Sequence, residues 1–315
     1  MRPHVVLLPV LLSASGCIKQ MLIDGQIEGT RQGSVAFDRF GDFEAGEMAA
    51  ASAVLQFEGM LELSPGNEDA LFLLTKGYTG FAYAFIEDRM ETADDAGDRA
   101  GAEYHRKRAK TAYQHAIRYG LQLLGQEADG FEEAKKTPET LKAWVTRSFT
   151  DPEDAADLFW TGYAWVSHAN LSRDDAEVIA NLYIGVALVE RSVELDPTYN
   201  AHSAEIVLGA YHARTATAEL DQAQVLFDKV LAATGRKFLL AQTLYATSYF
   251  CAKSDPAGYD KLLREVLAAE DPDPTQRLSN MVAQRRAARW LGEKRMFDAC
   301  SMDPVAPPEP APATN

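Results

Sequence analysis

Residues 157–165 constrain the fold most, because these nine positions hold four aromatic rings and one glycine. On a helix that turns about 100° per residue, Phe159, Trp160 and Tyr163 share one face. A second apolar face begins at Leu158, so little of the helix surface is left polar. A helix that is apolar on nearly every side must be buried between neighbours or must line an apolar hollow. The three rings therefore serve either as core alone or as the wall of a ligand channel.

Proline-terminated helices recur along the chain and predict stacked helical pairs. Pro65 and Pro197 each follow a Glu-Leu-Ser or Glu-Leu-Asp helix end, and polar residues that can cap a new helix come next. Later helix ends at Gly235 and Pro272 continue at intervals of about 38 residues, near the period of tetratricopeptide-like pairs. Strand-like alternation bounded by turn residues is absent. The sequence predicts an all-α fold of tetratricopeptide-like hairpins, an α-solenoid around a central cleft or pore.

Two predicted first helices, residues 70–86 and 237–252, carry aromatic side chains on a second face, like the opening segment. The first helix of each pair lines the concave side of a stacked array. We therefore predict that Tyr83, Tyr245 and Tyr249 join Phe159, Trp160 and Tyr163 in lining the pore. The second helices of two later pairs are expected at 221–233 and 258–270. Residues 88–103 and 125–154 are polar and are interpreted as long insertions between helix pairs.

The first residues resemble an export signal. Residues 1–16 combine Arg2, a short apolar stretch and small residues directly before Cys17, an order typical of a bacterial lipoprotein leader. We expect acylation of Cys17, which would anchor the mature chain in the periplasm. The alternative is an ordinary secretory leader. Ile18 follows the cysteine instead of an aspartate, which favours the outer membrane over the inner membrane.

We predict one domain over residues 17–300, followed by a proline-rich disordered tail at 301–315. No further segment is apolar enough to span a membrane, so the lipid anchor would be the only membrane attachment. The net charge of −15 repels phosphate backbones and argues against nucleic-acid binding.

Cys251 and Cys300 are the remaining cysteines, and export makes a disulfide between them feasible. We favour the simpler interpretation that Cys251 is a small buried apolar side chain, because two cysteines do not make a disulfide framework.

Catalytic and metal-binding patterns are missing from the sequence. The six histidines form no HExxH pair, and neither a nucleophile elbow nor a phosphate-binding glycine loop occurs. Residues 94–98 are acidic but lack the alternating oxygen ligands of a calcium loop, so we interpret them as a solvated loop. The sequence therefore predicts no enzyme activity, no cofactor and no metal.

Several blocks of the chain resemble the T-component family of tripartite ATP-independent periplasmic (TRAP) transporters, TatT, whose members are bacterial periplasmic lipoproteins. The resemblance covers 17–299 and is most specific at two blocks, the tryptophan-rich residues 156–165 and Val-Glu-Leu-Asp-Pro-Thr-Tyr-Asn at 193–200. Weaker matches lie at 17–20, 171–172, 208–211, 237–239, 244–246, 277–280 and 284–287. The resemblance implies an all-helical homotrimer that pairs with a periplasmic solute-binding protein and handles a hydrophobic small molecule.

Two functions thus compete. The first is a non-enzymatic accessory that passes a ligand to or from a solute-binding protein. The second is a tetratricopeptide lipoprotein scaffold for outer-membrane or cell-wall assembly, whose groove would bind an extended peptide through polar side chains.

Overall fold

The structure is a computed structural model that describes residues 10–214 and 219–303, with side chains from Ile18 onward. Within these residues it contains helices and no strand, which confirms the all-α prediction. The first helices in the order of the chain are α1 (Val10–Gly33), α2 (Val35–Asp38), α3 (Phe43–Leu63), α4 (Glu68–Phe81), α5 (Glu87–Asp95), α6 (Arg99–Glu127), α7 (Phe131–Ala134), α8 (Pro138–Ser148) and α9 (Asp154–Leu171).

The second part of the chain continues in the same way. It comprises α10 (Ala176–Ala180), α11 (Leu182–Leu195), α12 (Tyr199–Arg214), α13 (Leu220–Ala233), α14 (Leu239–Leu244), α15 (Pro256–Ala268), α16 (Arg277–Trp290) and α17 (Glu293–Cys300). Two π-helical segments, Ala82–Ile86 and Tyr245–Phe250, follow α4 and α14, and a short 3₁₀ turn, Pro274–Gln276, precedes α16. The predicted second helices at 221–233 and 258–270 correspond to α13 and α15, within two residues at each end.

Local capping explains where several helices begin. The Asn67 side chain accepts a hydrogen bond from the Ala70 amide at 3.0 Å, which confirms the predicted cap after Pro65. Asp255 caps α15 in the same way through the Gly258 amide at 3.0 Å. Neighbouring helices then pack in pairs, among them α3 with α4, α9 with α11, and α12 with α13. The arrangement of these pairs as a solenoid stays a prediction.

The interpretation of residues 88–103 as a long insertion is wrong. Helix α5 continues to Asp95, and a short turn at Gly97 leads directly into α6, where Asp98 caps the Gly101 amide at 2.9 Å. Asp88 and Glu91 of α5 are buried, and Asp95 forms an ion pair with Arg295 at 2.6 Å, so these carboxylates are not loop residues. The solvated loop expected at 94–98 is reduced to the exposed turn at 96–98. Polar residues on α5 had suggested a loop because their partners lie far away in the sequence.

The polar segment 125–154 runs from the last residues of α6 to the first residue of α9 and contains α7 and α8. Trp144 of α8 is 3% exposed and donates a hydrogen bond from its indole nitrogen to the Asp129 carbonyl at 2.9 Å. Its ring packs against Phe149, with ring centroids 5.3 Å apart. The segment therefore adds a packed layer next to α11 and does not form an open loop.

Helix α9 lies between α6 and α11, as its two apolar faces predict. At the contact with α11, Gly162 faces Gly185 so closely that a Cβ on Gly162 would lie 2.7 Å from the Gly185 carbonyl oxygen. At the contact with α6, a Cβ on Gly120 would lie 2.3 Å from the Thr161 hydroxyl oxygen. Glycine therefore allows α9 to approach both neighbours closely, which accounts for the glycine within the aromatic segment.

Arginines near the C-terminal end join the last helices to the first half of the chain. Arg289 of α16 pairs with Asp88 of α5 at 2.6 Å and with Glu91 at 3.0 Å. Arg286 donates to Glu87 at 3.0 Å, and Arg285 pairs with Asp88 at 3.1 Å. These ion pairs join residues about 200 positions apart, so α16 closes the array of helices against α5.

Cys251 and Cys300 form a disulfide bond, with Cα atoms 4.9 Å apart. The interpretation of Cys251 as an isolated buried thiol is therefore wrong. The bond joins the end of the second π-helical segment to α17 at the C-terminal end of the helical array. The sequence placed Cys251 correctly on a helix but could not show that α17 folds back against it.

The leader lies partly outside the described residues, as do the side chain of Cys17 and residues 304–315 of the tail. The backbone of α1 runs through Cys17 without a break. Within the described ranges, no helix combines the length and apolar character that crossing a membrane requires.

Candidate functional site

A cavity of about 460 Å³ lies among helices from both ends of the chain. Its walls come from the end of α1, from α2, α3, α4, α9, α12, α14 and α16, and from the first π-helical segment. Most lining side chains are aliphatic or aromatic. A cavity of this volume is within the usual size range of small-molecule sites, which is about 300–1,000 Å³.

The aromatic face of α9 forms one wall of this cavity. Phe159, Trp160 and Tyr163 all line it, and they also contact each other, with ring centroids of Phe159 and Trp160 4.9 Å apart. The Trp160 indole nitrogen donates a hydrogen bond to the Tyr199 hydroxyl at 2.9 Å. The rings therefore belong to the core and border the cavity at the same time. Trp165, on the other side of α9, packs against Gly185 and takes no part in the cavity wall.

The first π-helical segment presents Tyr83 to the cavity opposite Tyr163. The two ring centroids are 5.6 Å apart, and burial raises the pKa of both phenols. A π-helical turn inserts an extra residue and rotates the side chains that follow it. Here it allows Tyr83, Ala84 and Phe85 to line the cavity together.

Tyr245 and Tyr249 do not lie at this cavity. They are 4% and 3% exposed and pack in the core formed by α13, α14 and α15. Their hydroxyls donate to Asp228 and Gln224, at 3.1 and 2.9 Å. In this helix the aliphatic face lines the cavity instead, through Leu240 and Leu244. Helical spacing separated the two faces but could not show which of them points inward.

Three consecutive residues at the start of α12, Asn200, Ala201 and His202, have left-handed backbone angles, with φ of 47°, 54° and 65°. Such a turn costs roughly 1–2 kcal/mol per residue for L-amino acids. It is held by the Ser203 hydroxyl, which donates to the Asn200 carbonyl at 2.5 Å. Asn200 and Ser203 both line the cavity and supply polar groups to a mainly apolar wall.

A buried charged cluster stands behind Tyr83. The Arg286 guanidinium lies 4.0 Å from the centre of the Tyr83 ring and donates to the Tyr83 carbonyl at 2.8 Å. Glu87 accepts hydrogen bonds from Arg286 and from the Tyr113 hydroxyl. Burial and the adjacent Glu87 carboxylate together raise the pKa of Tyr113 well above its ordinary value. The cluster fixes Tyr83 at the junction where α16 closes the fold.

A second polar group lies at the beginning of the aromatic segment. Arg31 of α1 pairs with Asp69 at 2.9 Å and approaches Asp157 at 3.6 Å, while its guanidinium stacks 3.9 Å from the centre of the Phe72 ring. Burial raises the pKa of Asp157 from 3.8 to about 7, although Arg31 opposes the shift. Burial also raises the pKa of Tyr199 to about 12.

Two charged residues of the cavity wall, Asp38 and Lys76, were not predicted from the sequence. The Lys76 ammonium lies 3.3 Å from an Asp38 carboxylate oxygen. A signal for Lys76 existed, since it is the only charged residue in the otherwise apolar and small residues 70–86. No such signal existed for Asp38, because it lies in a short connecting helix with no clear periodicity.

The cavity wall combines a large apolar surface with a few polar side chains. Within residues 10–214 and 219–303, no group of three or more histidine, cysteine, aspartate or glutamate side chains is placed to hold a metal ion. His168 is buried without a hydrogen bond at Nε2, and burial lowers its pKa, but it lies apart from the cavity wall. The cavity can enclose an apolar molecule and offers it a few polar groups.

Comparison with known proteins identifies the family. The family model described as TRAP transporter T-component matches residues 41–297, which includes every helix from α3 to α16. A protein of Treponema pallidum (strain Nichols), described only as an uncharacterized protein, is 22% identical over 240 residues, covering 75% of this chain and 73% of its own length. The resemblance seen in the sequence is thereby confirmed, and the chain belongs to the TRAP transporter T-component family.

Proposed function

We propose that this protein is a non-catalytic accessory of a TRAP transport system that encloses an apolar ligand and exchanges it with a periplasmic solute-binding protein. The observation that carries the proposal is the cavity of about 460 Å³ bordered by Phe159, Trp160, Tyr163 and Tyr83. Aromatic rings supply a large contact area with few rotatable bonds, which suits an apolar guest. In a transport component, such a cavity could hold the ligand while it passes between proteins.

The shape of the wall supports a guest site over a packing defect. Protein interiors are close-packed, and voids larger than a water molecule are few. At Gly80 on α4, nothing lies within 4 Å of where a Cβ would stand, although the residue lines the cavity. The helix thus leaves open a space that an ordinary side chain would fill.

Anchoring and assembly belong to the same proposal. We infer that Cys17 is acylated and holds the chain on the periplasmic side, with the outer membrane favoured. Helix α1 then extends from the anchor to the cavity wall at Thr30, a distance of roughly 20 Å at the rise of an α-helix. A homotrimer is inferred from the family resemblance alone.

Filling the cavity tests the ligand site directly. In Gly80→Phe the new ring occupies the open space, and we expect binding of the neutral apolar probe N-phenyl-1-naphthylamine to weaken at least tenfold. Gly125→Phe is the matched control, because Gly125 is also a helical glycine with nothing within 4 Å of its Cβ position but lies outside the cavity. Unchanged probe binding in a folded Gly80→Phe protein would contradict a ligand role for the cavity.

The partner is tested separately. Gentle crosslinking in the periplasm followed by purification of the protein should recover a solute-binding protein of a TRAP system. Native mass spectrometry of the same preparation reads the number of subunits and any retained small molecule. Recovery of extended peptides, together with envelope defects on gene deletion and normal solute uptake, would instead support the scaffold function.

A further inference from the structure

Asp38 and Lys76 are the two charged side chains in the wall of the cavity, as far as the described residues show. They form one ion pair, with 3.3 Å between the ammonium nitrogen and the nearer carboxylate oxygen. The Lys76 side chain is 22% exposed and the Asp38 side chain 31%. The other described lining residues carry no formal charge, so this ion pair is where a ligand in the cavity would contact charged groups.

The two partners are held very differently. Lys76 lies in the middle of α4, next to the fully buried Thr75, and its ammonium is 5.7 Å from the centre of the Trp160 ring. Asp38 is the last residue of α2, a helix of four residues with none buried. Lys76 is therefore fixed to the cavity wall, whereas Asp38 lies on a short connection between α1 and α3 in which no residue of α2 is fully buried.

The ammonium has hydrogen-bonding capacity to spare. A lysine ammonium has three donors, and among the described residues Lys76 makes one hydrogen bond, to Asp38 at 3.3 Å, which is beyond the usual range for charged pairs. If Asp38 turned towards solvent, Lys76 would be left as an unpaired cation beside apolar walls, which is costly. Another anion in the same place would remove that cost. The Asp38 carboxylate thus marks a position where an anionic group fits.

We propose that the ligand is an amphipathic anion, and that its charged group pairs with Lys76 in place of Asp38 while its apolar part lies against Trp160 and Phe159. This proposal rests on the proposed function of the cavity as a ligand site. Exchange of the anion also releases the connection that carries Asp38. Phe37, which lines the cavity from the same short helix, can then move aside and admit the chain of the ligand.

Apart from this ion pair, the connection is held by Phe37, which packs against an apolar cluster containing Phe85 and Leu278, and by a hydrogen bond from α16. Arg277 of α16 donates to the Arg39 carbonyl at 3.3 Å, and Gly33 and Gly41 stand on either side of α2. Glycines adopt a wide range of backbone angles, so they can absorb a change in direction. Loss of the Asp38–Lys76 pair therefore removes the main polar contact between α2 and α4.

Ligands that share a chain and differ in the head group test this proposal. Decanoate, 1-decanol and decyltrimethylammonium are titrated calorimetrically into the wild-type protein, Lys76→Met, Asp38→Asn and the control Lys294→Met. Lys294 is matched because it also pairs with an aspartate, Asp298 at 2.7 Å, but lies on the exposed face of α17. We expect decanoate to bind at least tenfold more tightly than 1-decanol. Lys76→Met should abolish that preference without weakening 1-decanol.

Asp38→Asn provides the second, opposite signal. Removal of the competing carboxylate should strengthen decanoate binding several-fold, and the control variant should change neither affinity. Equal affinities of decanoate and 1-decanol in the wild type would overturn the anion assignment and leave the apolar cavity intact. A preference for decyltrimethylammonium that disappears in Asp38→Asn would overturn it in favour of a cationic head group. If no chain-bearing ligand binds and N-phenyl-1-naphthylamine fails as well, the proposed function itself has failed.

Discussion

Replacing Gly162 by alanine should destabilise the protein although alanine is the better helix former. The added Cβ would lie 2.7 Å from the Gly185 carbonyl oxygen, 2.8 Å from Val189 Cγ2 and 3.0 Å from Leu188 Cβ. Ordinary contacts of this kind are 3.4 Å or longer. The nearest obstacle is backbone, so no rotamer change relieves it, and α9 and α11 must separate. Overpacking of this type costs about 1–3 kcal/mol or more.

The net effect combines this strain with a propensity gain. Alanine is favoured over glycine inside a helix by about 1 kcal/mol. We therefore expect the free energy of unfolding to fall by up to about 2 kcal/mol in Gly162→Ala. Gly125→Ala isolates the propensity gain, because nothing lies within 4 Å of its Cβ position. It should raise the unfolding free energy by up to about 1 kcal/mol.

Urea denaturation monitored by far-ultraviolet circular dichroism measures both variants against the wild type. With unchanged dependence on urea concentration, a lower midpoint for Gly162→Ala and a higher midpoint for Gly125→Ala are expected. A Gly162→Ala midpoint at or above the wild-type value would refute the close approach of α9 and α11. The same result would remove the structural reason for a glycine within the aromatic segment.

Three further perturbations test other parts of the fold. Because Asp157 keeps its proton up to about pH 7 in the folded state and releases it near 3.8 when unfolded, stability should fall as pH rises from about 4 to 7. Asp157→Asn should lack this pH-dependent contribution to stability. The measurement is the free energy of unfolding of both proteins at several pH values, and the difference between them should change from about pH 4 to 7. Reduction of the Cys251–Cys300 disulfide should lower the free energy of unfolding by about 4 kcal/mol, on the chain-entropy model for a separation of 49 residues. The control is Cys251→Ser, whose stability should not respond to reductant. Arg286→Met leaves Glu87 buried without its cation and should lower the unfolding free energy by about 3–5 kcal/mol. Thermal unfolding measures this effect, and an unchanged midpoint would contradict the prediction.

The sequence predicted the features that depend on neighbouring residues. Helical spacing grouped Phe159, Trp160 and Tyr163 on one face, and proline followed by asparagine located the start of α4. It also predicted an α9 that is buried on two sides, since so little of its surface is polar. These features follow from local periodicity and capping.

Features that depend on distant partners could not be predicted in this way. The charges of α5 suggested a loop because their arginines lie about 200 residues later, on α16 and α17. Leu240 and Leu244 face the cavity, whereas Tyr245 and Tyr249 do not. This orientation depends on where α13 and α15 pack. The left-handed turn at Asn200 has no sequence signal of the usual kind, because glycine is absent from it.

Closure by α16 has a consequence for the order in which the molecule assembles. Thr30 and Val282 border the same cavity, so its wall is incomplete until helices from opposite ends of the chain have met. Contacts this far apart in sequence form slowly, since a long loop must close before they contribute. A chain that is still emerging, or one that ends before α16, would present the apolar wall to solvent and enclose nothing. The capacity to hold a guest would then arise in a single late event, and would itself report that folding is complete.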